Sequence, residues 1–307
     1  MPKTYRGDDM ALQLSSKLCY KKEYWIMKIL GTFGKIIKRM HDAVADTQQN
    51  TSQVEFWLAR RHFDDIQKSP RAQEPKRLLK YTKKVFSQGI EDGMLEEIFR
   101  RIGIVSKTAI EIGAGQGTEN NTMYLLFQDW KCFWIECNTQ STKRMQLTHQ
   151  QWLQSNALTV ETAFVTDQNV VDIIEKFARQ YGDKLDLMTV DIDSQDYWVL
   201  QAALKVAQPR VICAEYNGLF PASVSVTVPR GDKTPTRAFY GASLAAITKL
   251  VENNYALVGC TPNGVNAFFV RRDLELESFA APFTAENHFE PWAFQPVPHE
   301  RVDWVVI

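Results

Sequence analysis

Short apolar runs and longer helical patterns alternate through the middle of the chain. The runs predict five strands, at residues 108–112, 132–136, 160–165, 185–191 and 211–215. Helix-length stretches separate them, at about residues 118–129, 141–156, 169–181 and 195–207. Strands that are joined by crossover helices form a parallel sheet. The pattern therefore predicts an α/β fold built on five parallel strands.

The end of this region has a different pattern. After a predicted helix at about 242–253, apolar runs at 255–260 and 265–270 are joined through Thr261-Pro-Asn-Gly264. An Asn-Gly pair between apolar runs is typical of a β-hairpin, because both residues tolerate positive φ. The last strand should therefore run antiparallel to its neighbour. A seven-stranded sheet that ends this way resembles the Rossmann-like sheet of class I methyltransferases, whereas nicotinamide-binding sheets are parallel throughout.

The residues on either side of this region predict separate parts. Apolar side chains recur at helical spacing through 18–45 and again through 54–66, before two prolines interrupt the pattern within 69–75. The tail after residue 289 is rich in proline and aromatic residues, which suit packing on a domain or on a second subunit. The chain is thus predicted to consist of three parts. Residues 1–80 form an N-terminal helical region for packing or oligomerisation, residues 81–275 form the main domain, and residues 276–307 form a C-terminal tail.

Composition and charge narrow the class of protein. Apolar residues make up 45% and charged residues 23%, as in soluble globular proteins. The net charge is zero, but residues 1–101 carry 20 Lys and Arg against 13 Asp and Glu. This excess suits contact with the acidic part of the same or a neighbouring subunit better than it suits nucleic acid. A polar start, unpaired cysteines and the lack of an apolar run of ~20 residues predict a cytoplasmic protein without a membrane span.

A glycine-rich loop follows the first predicted strand. Its sequence is Glu111-Ile-Gly-Ala-Gly-Gln-Gly117. Gly113 and Gly115 lack a Cβ and so allow the backbone to approach a ligand closely. A dinucleotide-binding loop would have a third glycine at position 118, where Thr118 stands. The loop, Glu111 included, is therefore predicted to bind a cofactor that has no pyrophosphate.

Two acidic residues follow the second and third predicted strands. Glu136 lies 25 residues after Glu111, where a carboxylate can accept hydrogen bonds from both ribose hydroxyls. Asp167 is placed either to accept a hydrogen bond from the adenine amino group or to cap the next helix. Both positions suit a nucleoside ligand.

Six segments of the chain stand in a fixed order: Ser87-Gln-Gly-Ile-Glu-Asp-Gly93, Glu111-Ile-Gly-Ala-Gly115, Asp191-Ile-Asp-Ser-Gln-Asp-Tyr197, Glu215-Tyr-Asn217, Gly241-Ala-Ser243 and Asn266-Ala-Phe-Phe269. Taken together, they resemble the FkbM-like methyltransferases over about residues 85–272. The resemblance implies a class I fold, S-adenosylmethionine as the methyl donor, and methylation of oxygen or nitrogen. It also implies that Gln88 and Glu91 lie over the methionine end of the cofactor. The local pattern predicts a turn with Asp92 capping the next helix, and a cap and a ligand contact can coexist.

Four polar side chains follow the fourth and fifth predicted strands. They are Asp191, Asp193, Glu215 and Asn217, and each pair is spaced by two residues so that both members face the same way. All four are predicted catalytic residues, and they could hold Mg²⁺, which prefers oxygen ligands. Alternatively Asp191 binds the cofactor ammonium while Glu215 or Asp193 orients or deprotonates the acceptor, and this metal-free arrangement is favoured. A structural network that ties the strand ends together is a third interpretation.

A long connection at 218–241 contains three prolines and several Lys and Arg residues. Its length predicts a substrate lid, and its charges suit an acceptor that bears carboxylate or phosphate. The sequence as a whole predicts a biosynthetic methyltransferase for a small-molecule acceptor that works as a homo-oligomer. The alternatives are a nucleic-acid or protein methyltransferase that docks through the basic N-terminal region, and a scaffold that binds the cofactor without catalysis.

Overall fold

The computed structural model describes residues 61, 64–231, 236, 239–292 and 304–307. The chain divides into two compact units, residues 1–61 and 62–307, and the second contains the sheet. The helical pattern predicted at 18–45 and most of the one at 54–66 lie outside the described residues. No helix in the described ranges is long and apolar enough to cross a membrane.

A seven-stranded sheet forms the centre of the second unit. Its strands are β1 Thr108–Ile112, β2 Lys131–Glu136, β3 Leu158–Thr162, β4 Leu187–Val190, β5 Val211–Glu215, β7 Tyr255–Cys260 and β8 Asn266–Arg271, and a separate pair consists of β6 Val226–Thr227 and β9 Val305–Val306. The spatial order is β3-β2-β1-β4-β5-β8-β7. Strands β1 to β5 are parallel, and β8 is antiparallel to both of its neighbours. The predicted α/β fold with an antiparallel last strand is confirmed.

The hairpin that reverses β8 forms where the sequence predicts it. Gly264 has φ 74°, and its N–H donates to the Thr261 carbonyl at 2.9 Å. The short turn leaves β8 no room for a crossover, so it inserts antiparallel between β5 and β7. In this register Asn266, the first residue of β8, lies opposite Glu215, the last residue of β5.

Helices cover both faces of the sheet. They are α1 Pro70–Gln73, α2 Glu91–Ile102, α3 Met123–Leu126, α4 Thr139–Thr148, α5 Gln150–Gln154, α6 Val170–Tyr181, α7 Asp196–Ala203, α8 Leu244–Val251 and α9 Ala285–His288. On β1, Ile110 and Ile112 pack into the core beneath α6, α7 and α8, while Ala109 faces the core that includes α2 and α4. Alternate residues of a strand point to opposite faces, so a strand covered on both sides is apolar throughout.

Two predicted helices differ from the structure. The helix predicted at 118–129 is a loop followed by the short α3, because the Glu111 carboxylate accepts the backbone N–H groups of Asn121 and Thr122. The helix predicted at 141–156 is divided into α4 and α5 at His149. The ring of His149 hydrogen-bonds to the Gly117 carbonyl through Nε2 at 2.8 Å, which fixes the break beside the glycine loop.

The 218–241 connection is a packed structure where it is described. Its strand β6 pairs with β9. The Trp304 ring contacts Phe220 and Phe239, with ring centroids 4.7 Å and 4.6 Å apart. The described end of the tail, residues 304–307, therefore packs on this connection, while residues 293–303 lie outside the described residues.

Candidate active site

The glycine loop brings the ends of β1 and β4 into contact. Gly113 has φ 95°, and a Cβ added to it would lie 1.6 Å from the Asp191 carbonyl oxygen. Only glycine fits there, because no other residue could leave that oxygen in place. Gly115 has φ 58°, but a Cβ at this residue would meet nothing within 4 Å. The loop is therefore closely packed at its first glycine and has open space at its second.

Glu136 lies beside this open part of the loop. Its Oε2 accepts the Gly115 N–H at 2.9 Å, and its Oε1 accepts the Asn138 N–H at 2.8 Å. Each carboxylate oxygen can accept more than one hydrogen bond. Oε1 also accepts a weak contact from the Cys137 thiol at 3.4 Å. The side chain is thus held in place by its neighbours and retains acceptor capacity on Oε2 for a ribose hydroxyl.

Glu111 holds the chain that follows the glycines. Its buried carboxylate accepts from the Asn120 side chain at 2.7 Å, from the Asn121 and Thr122 N–H groups at 2.8 Å and 3.1 Å, and from the Thr122 hydroxyl. Burial raises the pKa of Glu111, and these hydrogen bonds oppose that shift. The structure thus gives this predicted cofactor residue a role in shaping the loop.

Asp92 organises the segment before α2. Its Oδ2 accepts the N–H groups of Val85 and Phe86, both at 2.7 Å, and that of Ser87 at 2.9 Å. The prediction that Asp92 caps the helix is wrong, because it is the second residue of α2 and the N-cap position is Ile90. The carboxylate instead folds the preceding backbone around itself.

Glu91 and Gln88 differ in their surroundings. Glu91 is buried and accepts the Gly89 N–H and the Asn266 Nδ2, each at 3.1 Å. This contact connects the start of α2 to the carboxyl end of the sheet, because Asn266 lies opposite Glu215. Gln88 is exposed. Sequence reasoning missed Asn266 as a site residue, although it belongs to one of the six resembling segments.

The structure brings together three of the four polar side chains that follow β4 and β5. Asp191, Asp193 and Glu215 each place one carboxylate oxygen within 4.8 Å of the others. Burial is the main reason why the pKa values of Asp191 and Glu215 are raised well above their usual range, and repulsion from neighbouring carboxylates, chiefly Asp196 for Asp191 and Asp191 for Glu215, adds to the shift. Two neighbouring carboxyls of this kind share a proton and titrate as a pair.

Asp196 is a fourth acidic residue at this edge, and the sequence analysis missed it. It begins α7, is 2% exposed, and accepts the N–H groups of Ile192 at 2.8 Å and Ser194 at 3.0 Å. Its hydrogen bonds hold the turn in which Asp193 has φ 59°. Burial raises the pKa of Asp196 to about 6. An acid at the start of a predicted helix was the signal that could have identified it.

Asn217 supports the connection that follows β5. Its Oδ1 accepts the Leu219 N–H and its Nδ2 donates to the Tyr240 carbonyl, both at 3.2 Å. The side chain is fully buried. The structure therefore uses this predicted catalytic and metal-binding residue to join the two ends of the 218–241 connection.

Asp167 pairs with the same connection. Its Oδ2 accepts from Arg230 Nε at 2.7 Å, and the Arg230 guanidinium lies 5.6 Å from the centroid of the Trp198 ring. The alternative prediction that Asp167 caps the next helix is wrong, because the N-cap of α6 is Asn169. Arg230 is committed to an ion pair and a cation–π contact, so it has less to offer an anionic acceptor.

Acidic side chains accumulate at the carboxyl end of the sheet without a matching Lys or Arg among the described residues. Six carboxyl groups form this acidic edge, and none is in an ion pair with Lys or Arg within the part of the chain that the structure describes: Glu91, Glu111, Asp191, Asp193, Asp196 and Glu215. Buried charge without a partner costs free energy. The acidic edge is therefore suited to a cationic ligand.

Three polar atoms at the same edge are buried without a hydrogen-bond partner: Glu215 Oε2, Tyr240 Oη and Asn266 Oδ1. Native structures satisfy most such groups, and each exception has a cost of about 1–3 kcal/mol. Ligands in open α/β sheets bind at the carboxyl ends of the strands, which is where these atoms lie.

No family profile and no curated protein matches the sequence. Similar solved structures include the N-terminal domain of EvdMO1 with SAH bound, at 15% identity and TM-score 0.41, covering 61% of this chain and 82% of that one. An O-methyltransferase from Bacillus cereus in complex with SAH has 15% identity and TM-score 0.37, with coverages of 58% and 79%. The glycopeptide N-methyltransferase MtfA with S-adenosylmethionine has 15% identity and TM-score 0.35, with coverages of 58% and 92%. Similarity at this level identifies no activity for this chain. Its Rossmann-like class I methyltransferase fold is assigned from its own strand order and antiparallel last strand.

Proposed function

We propose that the protein is an S-adenosylmethionine-dependent methyltransferase of the FkbM-like type that acts on a small-molecule acceptor. The observation that carries this proposal is the acidic edge, whose carboxyls have no cationic partner among the described residues. S-adenosylmethionine brings a sulfonium and an ammonium to such a site, whereas the pyrophosphate of NAD would be repelled.

The proposed position of the cofactor has its ribose beside Gly115 and its methionine end at the acidic edge. Glu136 accepts from a ribose hydroxyl beside Gly115, where the loop leaves open space. Glu91 and Asp191 face the ammonium at the methionine end, with Gln88 over it. Asp167 accepts from the adenine amino group through lone pairs that its contact with Arg230 leaves available.

The reaction would be an in-line displacement at the methyl carbon. The acceptor lone pair attacks, a bond to the methyl carbon forms, and the bond from that carbon to sulfur breaks with its electrons passing to sulfur. Glu215 and Asp193 orient the acceptor and take its proton. The cofactor's positive charges favour the ionised forms of Asp191 and Glu215, so its binding would prepare the base.

A divalent metal is the competing use of the same carboxylates. The oxygens of Asp191, Asp193 and Glu215 are ligands that suit Mg²⁺, and a bound ion would lower the pKa of an acceptor hydroxyl. We favour the metal-free arrangement, because the cofactor already supplies positive charge to these residues. Turnover that survives prolonged treatment with EDTA is the expected result, and loss of turnover that Mg²⁺ restores would reverse this preference.

Calorimetry with S-adenosylmethionine, S-adenosylhomocysteine and NAD tests the cofactor. We expect the first two to bind and NAD not to bind, and NAD binding without S-adenosylmethionine binding would refute the proposal. Screening of metabolites with a methyl-labelled donor then tests catalysis, with Glu215→Gln as the site variant. Glu161→Gln is the matched control, because Glu161 pairs with Lys176 away from the acidic edge. Cofactor binding without any transfer would favour the scaffold alternative.

We propose a cytoplasmic homo-oligomer in which residues 1–80 serve packing or oligomerisation and 218–241 cover the substrate. Docking of a nucleic acid through the basic N-terminal region remains the alternative. This alternative requires nucleic-acid binding that weakens steeply as the salt concentration rises, and a lack of nucleic-acid binding at low salt would exclude it.

A further inference from the structure

Tyr240 lies between the two strand ends that carry the acidic residues. Its carbonyl accepts from Asn217 Nδ2 at 3.2 Å, and the next residue, Gly241, donates its N–H to the Ser194 carbonyl at 3.1 Å. Ser194 belongs to the turn that Asp196 holds, while Asn217 follows Glu215 by two residues. The backbone of Tyr240 is therefore fixed from both sides of the acidic edge.

The hydroxyl of Tyr240 has no hydrogen-bond partner among the described residues, although the side chain is 7% exposed. Two other buried tyrosines do have partners: Tyr216 donates to the Glu290 carbonyl at 2.5 Å, and Tyr255 donates to the Pro209 carbonyl at 3.0 Å. Burial first, and then Glu215, raises the pKa of Tyr240, so its hydroxyl keeps its proton. It can therefore donate a hydrogen bond that no described residue accepts.

Glu215 has an unpaired hydrogen-bond acceptor. Its Oε2 is buried and accepts no hydrogen bond, at the end of the strand that leads to Asn217. A donor and an acceptor thus stand unpaired on neighbouring segments that are joined through Asn217. A ligand that satisfies both must accept one hydrogen bond and donate another.

We propose that Tyr240 and Glu215 together hold the nucleophilic hydroxyl of the methyl acceptor, with Tyr240 donating to its oxygen and Glu215 accepting its hydrogen. This inference rests on the proposed function. An alcohol has one hydrogen and two lone pairs, so it satisfies both groups at once. An ammonium would leave the Tyr240 hydrogen without an acceptor, and a carboxylate or phosphate would meet the negative charge of Glu215.

The transfer step then balances within this site. The acceptor oxygen forms its bond to the methyl carbon, the carbon–sulfur bond breaks, and the electron pair of that bond stays on sulfur. The acceptor proton passes to Glu215. Tyr240 keeps its own proton throughout and acts only as a donor to the acceptor oxygen, which fixes the direction of the attacking lone pair.

The test uses benzyl alcohol, benzylamine and benzoate, which differ only in their polar group. Saturation-transfer NMR is recorded on the full chain saturated with S-adenosylhomocysteine, for wild type, Tyr240→Phe and the matched control Tyr255→Phe. We expect the wild type and Tyr255→Phe to prefer benzyl alcohol. Tyr240→Phe should weaken benzyl alcohol by at least about threefold, the effect of losing one hydrogen bond, and leave benzylamine unchanged.

Thermal unfolding separates this assignment from a structural role. Tyr240→Phe should melt no lower than wild type because its hydroxyl has no partner to lose, whereas Tyr255→Phe should melt lower. A destabilised Tyr240→Phe, equal binding of benzoate, or no binding of benzyl alcohol to wild type would each overturn the assignment. Failure of the wild type to bind S-adenosylhomocysteine would instead overturn the proposed function.

Discussion

Two loop glycines should respond differently to replacement by alanine: Gly113→Ala should mainly destabilise the fold, and Gly115→Ala should mainly prevent cofactor binding. Gly113→Ala places a Cβ 1.6 Å from the Asp191 carbonyl oxygen and 2.7 Å from its carbonyl carbon, both of which are backbone atoms. Gly115→Ala places a Cβ in open space. Both residues have positive φ, so both substitutions carry backbone strain, and Gly115→Ala serves as the control for that strain.

The magnitudes follow from this geometry. Positive φ costs an alanine about 1–2 kcal/mol, and this is the whole cost expected for Gly115→Ala. In Gly113→Ala the ends of β1 and β4 must also separate, which endangers the hydrogen bonds from Gly113 N to Ile135 O and from Asp191 N to Ile112 O, both 2.9 Å long. Each contributes about 1 kcal/mol, for a total cost of about 3–4 kcal/mol. At about 2–4 °C per kcal/mol, Gly113→Ala should melt about 6–16 °C lower, and Gly115→Ala about 2–8 °C lower.

At temperatures where both variants are folded, Gly115→Ala should lose more affinity for the cofactor than Gly113→Ala. The Cβ of Gly115→Ala would occupy the space that we assign to the cofactor beside Glu136, so calorimetry should detect no binding of S-adenosylmethionine. Differential scanning calorimetry measures the stability half of the prediction. A Gly113→Ala protein that melts with wild type would refute the packing argument, and Gly115→Ala with wild-type affinity would refute the proposed cofactor position.

Three further expectations can be measured with the same protein. Glu136→Gln should weaken S-adenosylmethionine binding by about tenfold, because hydrogen bonds to a charged acceptor are worth about 1.5–3 kcal/mol and an amide retains part of that; unchanged affinity in calorimetry would contradict a ribose role. Asp191 and Glu215 have raised pKa values in the folded protein, so the free energy of unfolding of the cofactor-free protein should fall as pH rises from about 4 through those raised values. Cofactor binding favours the ionised carboxylates and should therefore release protons. Calorimetry in buffers of different ionisation enthalpy measures this release. Asp92→Ala should lower the free energy of unfolding by at least about 2 kcal/mol, because three backbone N–H groups lose their acceptor; a denaturant midpoint equal to that of wild type would contradict this.

The sheet could be predicted from the sequence because its signals are local. Apolar runs identify the strands, and the Asn263-Gly264 turn alone decides the direction of β8. The acidic cluster was also accessible, since spacing by two residues after neighbouring parallel strands brings Asp191, Asp193 and Glu215 to one edge. These inferences needed only the period of a strand and the rule that parallel strands end together.

The errors all arise from pairings between residues that are distant in the sequence or irregular in spacing. Glu111 takes the backbone donors at 121 and 122 and so prevents a helix there. Asp92 turns backwards onto the preceding loop rather than capping α2, and Asp167 pairs with Arg230, 63 residues away, rather than capping α6. A polar side chain has several possible partners of similar energy, and only the folded backbone selects among them.

The pairing of β6 with β9 also determines the order in which the protein can assemble. Residues 226–227 bond to residues 305–306, and Trp304 packs against Phe220 and Phe239 from the same connection. While the chain is being synthesised, all seven strands of the main sheet can form before residues 304–307 emerge from the ribosome. The contact between residues 304–306 and the 218–241 connection therefore forms after the main sheet, so a nascent chain would pass through a stage in which the acidic edge is built and this connection still lacks its β9 partner.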